Sequence, residues 1–157
     1  MTTTVVLIRH AKPEDGIYTS DFTRPISQNG VEIQEKMSLL LKEAGYIPEQ
    51  ILFSPYLRTR QTAEILGKIF NITPSLEQAL GFFFDELALI QKIPDPEKNQ
   101  TIFMVGHAPS LLRFANRLVG KSCPIYEIDR SGALILQFED KVDFGIAKFQ
   151  KYLAPEN

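Results

Sequence analysis

Cys123 is the only cysteine in the chain, and tryptophan is absent. A single thiol excludes an internal disulfide framework and a cysteine-rich zinc site. No apolar run approaches the ~18–20 residues needed to span a bilayer, so no membrane association is expected. The opening residues, MTTTVVLIRH, place no basic segment before their short apolar run. That pattern does not read as a signal peptide, and the cytoplasm is the expected compartment. Excess charge is lacking too: 17 Lys+Arg against 19 Asp+Glu leave a formal charge of -2. There is thus no global basic field of the kind nucleic-acid binders carry, although a local positive pocket is compatible with the balance. Repeats, low-complexity tracts and linkers are missing as well. The longest loop candidate, Pro94 to Gln100, is only seven residues, a connection and not a boundary. One domain over residues 1–157 is therefore expected, with enough apolar material to build a core unaided. No coiled-coil pattern stands out, so a monomer is expected.

What is present alternates between strand and helix signals. Thr4 to Arg9 reads as a strand, and its run Val5-Val6-Leu7-Ile8 suits one covered on both faces. Ser27 reads as the N-cap of a helix carrying Ile33, Met37, Leu40, Leu41 and Ala44, with Gly45 as its stop. Gln50 to Phe53 reads as a second strand. Ser54-Pro55 then reads as the cap and first turn of a helix with Thr62, Ile65, Leu66 and Ile69 on one side. Phe82 to Ile93 reads as a third helix, Thr101 to Gly106 as another buried strand, and Pro109 as the opening of a helix through Val119. Ala133 to Phe138 and Phe144 to Phe149 read as two late strands joined tightly enough to be antiparallel. The alternation predicts an α/β fold: a three-layer α/β/α sandwich with a mostly parallel sheet and antiparallel edge strands near the C-terminus. Ligands in such sheets bind outside the carboxyl ends of the strands.

Chemistry collects at that edge. The chain has two histidines, His10 just after the first strand and His107 just after Thr101–Gly106. If those strands are parallel, both imidazoles emerge together. Arg9 precedes His10 directly, and its planar fork of donors suits phosphate oxygens. Arg58 falls in the first turn of a helix, on the same stripe as Thr62, Ile65 and Ile69. A cation on the core-facing side near a helix N-terminus calls for an anion, either a bound one or a buried carboxylate. Arg60, two positions on, reads as a solvated charge. Two arginines, two histidines and helix N-termini together describe a phosphate site. A neutral imidazole there can attack phosphorus and form a covalent intermediate. Zinc would need a third ligand, no HxH or HExxH spacing exists, and the arginines would repel a cation, so no metal is expected. Neither the G-x-x-x-x-G-K-[ST] loop nor the G-x-G-x-x-G fingerprint occurs, and no cofactor is expected.

Leu7-Ile8-Arg9-His10-Ala11 resembles the Arg-His-Gly/Ala signature of the histidine phosphatase (phosphoglycerate-mutase-like) superfamily. Ser54-Pro-Tyr-Leu-Arg58-Thr-Arg-Gln-Thr-Ala63 resembles its second motif, and Val105-Gly106-His107 its third. The short chain and the segment Asp21-Phe-Thr-Arg24-Pro25-Ile26 through Gly30 resemble the compact SixA-type branch, the phosphohistidine phosphatases. The resemblance implies His10 as nucleophile, a phosphate pocket of Arg9, Arg58 and His107, an α/β/α sandwich and no metal. Ala11 replaces the glycine of the wider superfamily, and Ala108 stands where asparagine is frequent. Larger members place a glutamate after the second motif. Glu77 is the candidate general acid here, with Asp85 and Glu86 behind it.

The expected activity is that of a phosphatase acting on phosphohistidine-bearing proteins, such as phosphotransfer domains, through phospho-His10. Phosphorylated imidazole leaves easily, so such an enzyme needs no strong acid, whereas an alkoxide does. A small-molecule phosphomonoesterase is the alternative and would use a walled pocket with a carboxylate near the leaving oxygen. A phosphate-binding regulatory module without turnover is the second alternative.

Overall fold

The computed structural model describes residues 1–155. Six strands form one sheet: β1 (Thr2–Arg9), β2 (Gln50–Phe53), β3 (Ser75–Leu76), β4 (Gln100–Gly106), β5 (Ala133–Glu139) and β6 (Lys148–Leu153). Their order is β3-β2-β4-β1-β5-β6. The first four run parallel, and β5 and β6 are antiparallel at one edge. Four helices cover the sheet: α1 (Gln28–Glu43), α2 (Leu57–Phe70), α3 (Glu86–Lys92) and α4 (Ser110–Val119). No helix among the described residues is long and apolar enough to cross a membrane.

The apolar run of β1 explains the layering. Side chains alternate faces along a strand. Val5 and Leu7 pack with Leu111, Phe114 and Leu118 of α4, while Val6 and Ile8 pack with Leu41 of α1 and Ala63 and Leu66 of α2. All four β1 residues are fully buried, each contributing about 1.5–3 kcal/mol of burial. The three-layer α/β/α architecture with a mostly parallel sheet follows from that two-sided demand.

Helix α1 starts as expected, with the Ser27 hydroxyl accepting from Gly30 N at 3.0 Å. Its stop is Gly45, which takes a left-handed φ of 90° that an L side chain resists. The same first turn presses on the loop after His10. A Cβ on Gly30 would lie 2.4 Å from the Lys12 carbonyl oxygen, so only glycine lets the helix approach that backbone.

Several expectations need correction. Leu40 and Ala44 are exposed, and the buried stripe of α1 instead includes Gln34 and Ser38. These two satisfy part of their polarity mutually, Gln34 Nε2 donating to Ser38 Oγ at 3.1 Å. Helix α2 begins at Leu57 and is capped at Tyr56 without a side-chain bond, so Ser54 is not its cap. The expected helix over Phe82–Ile93 is only Glu86–Lys92, because Asp85 accepts from Ala88 N and sets the start there. Phe82 and Phe83 are left exposed. The last strand begins at Lys148 and not Phe144. Gly145 N and Ala147 N donate instead to the Arg117 and Leu118 carbonyls at the end of α4. The two-residue strand β3 has no apolar signal and was not expected.

Candidate active site

The strand order puts three strand ends side by side. Arg9 of β1 is in register with Gly106 of β4, and Phe53 of β2 with Val105. His10, His107 and Ser54 therefore leave the sheet as neighbours. His10 N donates to Gly106 O at 3.0 Å, and Ser54 N to Val105 O at 3.2 Å. The imidazole centroids of His10 and His107 lie 5.4 Å apart. Glu77 follows β3 at the same edge, its N–H donating to Phe53 O at 2.8 Å.

His10 is held in one tautomer. Its Nδ1 lies 2.8 Å from Ala11 O, and a carbonyl only accepts, so Nδ1 carries the proton. When the ring is neutral, Nε2 keeps its lone pair. Burial pushes the His10 pKa down to about 3, reinforced by the nearby charges of His107, Arg58 and Arg9 and opposed by the Ala11 bond. The ring is thus neutral near pH 7. The loop behind it is pinned from α2: Ala11 N donates to Thr62 Oγ1 at 2.9 Å, and that hydroxyl donates to Arg58 O at 2.7 Å.

His107 is held by hydroxyls. Its Nε2 lies 2.7 Å from Ser54 Oγ, which lies 2.7 Å from Thr59 Oγ1. Thr59 Oγ1 faces the Ser54 and Tyr56 carbonyls at 2.7 and 2.8 Å, so its proton goes to the backbone. The Ser54 hydroxyl then donates to Thr59 and accepts from His107 Nε2–H. That leaves Nδ1 as the atom of His107 that gains or loses a proton. Burial pushes its pKa down to about 4, with Arg58 and Arg9 lowering it further and Asp21 raising it. Tyr56 packs edge-on against the ring, centroids 4.7 Å apart.

Both arginines sit at this edge, held differently. Arg9 donates from Nη1 to Ile128 O at 2.9 Å, and its buried Nε has no partner. Burial lowers its pKa first, with the charge of Arg130 adding to that. Arg58, its side chain 12% exposed, donates from Nη1 to Asp21 O at 2.9 Å and from Nη2 to Asp21 Oδ2 at 3.1 Å. The partner is thus a carboxylate, one of the two anions its position calls for, but Asp21 is 63% exposed and not buried. Arg58 also lies over the Tyr56 ring, 4.7 Å from its centroid. Arg60 is exposed and pairs with Glu64, as a solvated charge does.

Among the acid candidates, Asp85 caps α3 and Glu86 pairs with Arg117 at 2.6 Å, so both have structural work. Glu77 is only 14% exposed; it accepts from Ala79 N at 3.0 Å and meets Lys92 at 3.6 Å. It lines a groove of about 590 Å³ with Phe22, Pro55, Phe82 and Phe83. Cys123 is buried, and burial raises its thiol pKa, which leaves it an inert packing group.

Sequence reasoning met Ser54 only as a motif residue and a helix cap, and missed Thr59 and Thr62 as positioning groups. The signal for the two threonines was a pair of hydroxyls on the buried stripe of α2, where apolar side chains are the rule. Ser54→Ala is expected to leave His107 Nε2–H without its acceptor, costing about 1–3 kcal/mol of stability and lowering turnover. Urea titration and steady-state rates check this; unchanged values would show that the hydroxyl chain does not hold the ring.

The histidines also make stability depend on pH. With an unfolded pKa of 6.5 and a folded one near 3, His10 binds fewer protons when folded. Its contribution is present above pH 6.5 and is lost as pH falls toward 3. Between about pH 7.5 and 5 each such histidine removes about 2 kcal/mol. His10→Gln should therefore lose about 2 kcal/mol less than the wild type over that range, read by urea titration at both values. Equal losses would place the His10 pKa near its ordinary value.

No family model matches the chain. An uncharacterised protein of Picosynechococcus is 32% identical over 108 residues, covering 64% of this chain and 63% of that one. Phosphohistidine phosphatase SixA of Escherichia coli is 38% identical over 58 residues, covering 37% of this chain and 36% of SixA. Each match thus spans less than two thirds of the relative's own length. The solved structure of the protein histidine phosphatase SixA complexed with tungstate superposes with a TM-score of 0.80, at 21% identity, over 97% of each chain. By strand order, helix layers and this superposition, the chain has the fold of the SixA-type, phosphoglycerate-mutase-like histidine phosphatases.

Proposed function

We propose that this protein is a metal-independent phosphatase that dephosphorylates phosphohistidine on proteins through a phospho-His10 intermediate. The observation that carries the proposal is the tautomer lock: Nδ1–H is fixed on Ala11 O, so Nε2 offers its lone pair beside Arg9, Arg58 and His107. In the first step Nε2 forms a bond to phosphorus while the P–N bond of the substrate, its ring already protonated at the other nitrogen, breaks, and the electron pair stays on the leaving group, which departs as neutral imidazole. Arg9 and Arg58 neutralise charge on the transferring phosphoryl oxygens. An arriving phosphate dianion raises the pKa of His107, which then protonates at Nδ1 and donates to it. In the second step water attacks phosphorus, the P–Nε2 bond breaks, and inorganic phosphate leaves. The fold's resemblance to SixA supports a protein substrate; a single domain, a monomer and a cytoplasmic setting are proposed with it.

One observation favours a second reading, a small-molecule phosphomonoesterase. Glu77 stands mostly sheltered in the row of strand ends and lines a groove, instead of pointing to solvent. An alkoxide leaving group would need its proton; a leaving imidazole would not. Glu77→Gln separates the two. Protein phosphohistidine hydrolysis should change by less than about threefold, while any alkyl phosphomonoester hydrolysis falls by about 10²-fold or more. Wild-type preference for the alkyl ester, together with a comparable loss on both substrates, would overturn the phosphohistidine assignment.

A further inference from the structure

Asp21 is not among the residues expected in the pocket, yet it makes the closest charged contact to Arg58. It sits in the 3-10 turn Asp21–Thr23, whose Phe22 stacks on Tyr56 at 4.5 Å between centroids. The turn is braced from outside the pocket. Arg24 donates to the Glu14 and Gly16 carbonyls at 2.9 and 3.1 Å and lies over the Tyr18 ring. The two carboxylate oxygens of Asp21 face different arginines: Oδ2 is 3.1 Å from Arg58 Nη2, and Oδ1 is 3.7 Å from Arg24 Nε.

We propose that Asp21 is a placeholder for the phosphoryl group, pairing with Arg58 and yielding it when phosphate arrives. The inference rests on the reading of this pocket as a phosphate site. Three observations carry it. A guanidinium 12% exposed requires an anion, and Asp21 supplies one. The carboxylate is 63% exposed, so it can turn toward solvent at little cost. It also has Arg24 as a second partner, so releasing Arg58 does not strand it. The charge of Asp21 reaches His107 too, whose pKa it raises.

The consequence concerns release of the product. With both histidines neutral, Arg9 and Arg58 are the cations of the pocket, and Asp21 offsets the charge of Arg58. A phosphate dianion therefore meets a carboxylate competing for Arg58, which weakens retention of inorganic phosphate and favours turnover. Removing that charge should strengthen phosphate binding.

The test is calorimetric titration of inorganic phosphate into the wild type, Asp21→Asn, Asp21→Ala and Arg58→Ala. Both Asp21 variants should bind phosphate about fivefold more tightly, the gap narrowing as salt is added. Phosphate should correspondingly inhibit their turnover at lower concentration. Unchanged or weaker binding in both, with binding lost in Arg58→Ala, would overturn the placeholder role and leave Asp21 as a group that orients Arg58. Binding undiminished in Arg58→Ala would instead overturn the pocket assignment itself, and the proposal with it.

Discussion

His10→Ala is expected to abolish turnover, lowering kcat by about 10⁴-fold or more, because it removes the lone pair that attacks phosphorus. The fold should persist. His10 is tied to the sheet through its backbone N–H on Gly106, which alanine keeps, and the Thr62 bond goes to Ala11. Phosphate should still bind, since Arg9, Arg58 and His107 remain. The measurement is kcat on a phosphohistidine-bearing protein, with phosphate affinity as a check on pocket integrity. Activity within tenfold of the wild type would sink the covalent mechanism, whatever the binding data showed.

Arg58→Ala is expected to lower kcat/KM by about 10²–10³-fold, the scale of removing one preorganised donor to a developing charge. Arg58→Lys should not restore it, because a point charge cannot reproduce the two-pronged grip of a guanidinium. Stability should change little, as Asp21 is exposed and stays hydrated once its partner is gone. A second readout belongs to the same variant. The positive charge of Arg58 depresses the pKa of both His10 and His107. Its loss should therefore raise both, which NMR titration of the imidazoles would follow. Full activity in Arg58→Ala, with histidine titrations unmoved, would show that the guanidinium lies outside the working pocket.

Much of this site is legible in the amino-acid sequence. The apolar runs of β1 and β4 announce strands buried on both faces, and each run ends at a histidine. Parallel pairing of those strands then puts His10 beside His107. The sheet order is not legible. Inserting β4 between β1 and β2 is a long-range event, and it is what brings Ser54 to His107. Local pattern misassigns Ser54 as a helix cap for the same reason. A serine ahead of a proline and a helix looks like a cap, and only tertiary contact reveals a different partner. Phe82 to Phe84 fails similarly: apolar residues continuing into a helical stretch look like its first turn until the Asp85 cap is seen. The Asp21–Arg58 contact joins residues thirty-seven apart through a turn with no buried residue, so no periodicity could signal it.

The central claim is a phosphoryl group bonded to His10, and single-turnover trapping tests it most directly. Wild type and His10→Ala would be mixed with a phosphohistidine-bearing protein, quenched in base within one turnover, and analysed for acid-labile phosphate on the enzyme. The account predicts label on the wild type alone, attached at Nε2 of His10, appearing and decaying at rates consistent with turnover. Label on the His10→Ala protein, or wild-type turnover without any label on His10, would contradict it.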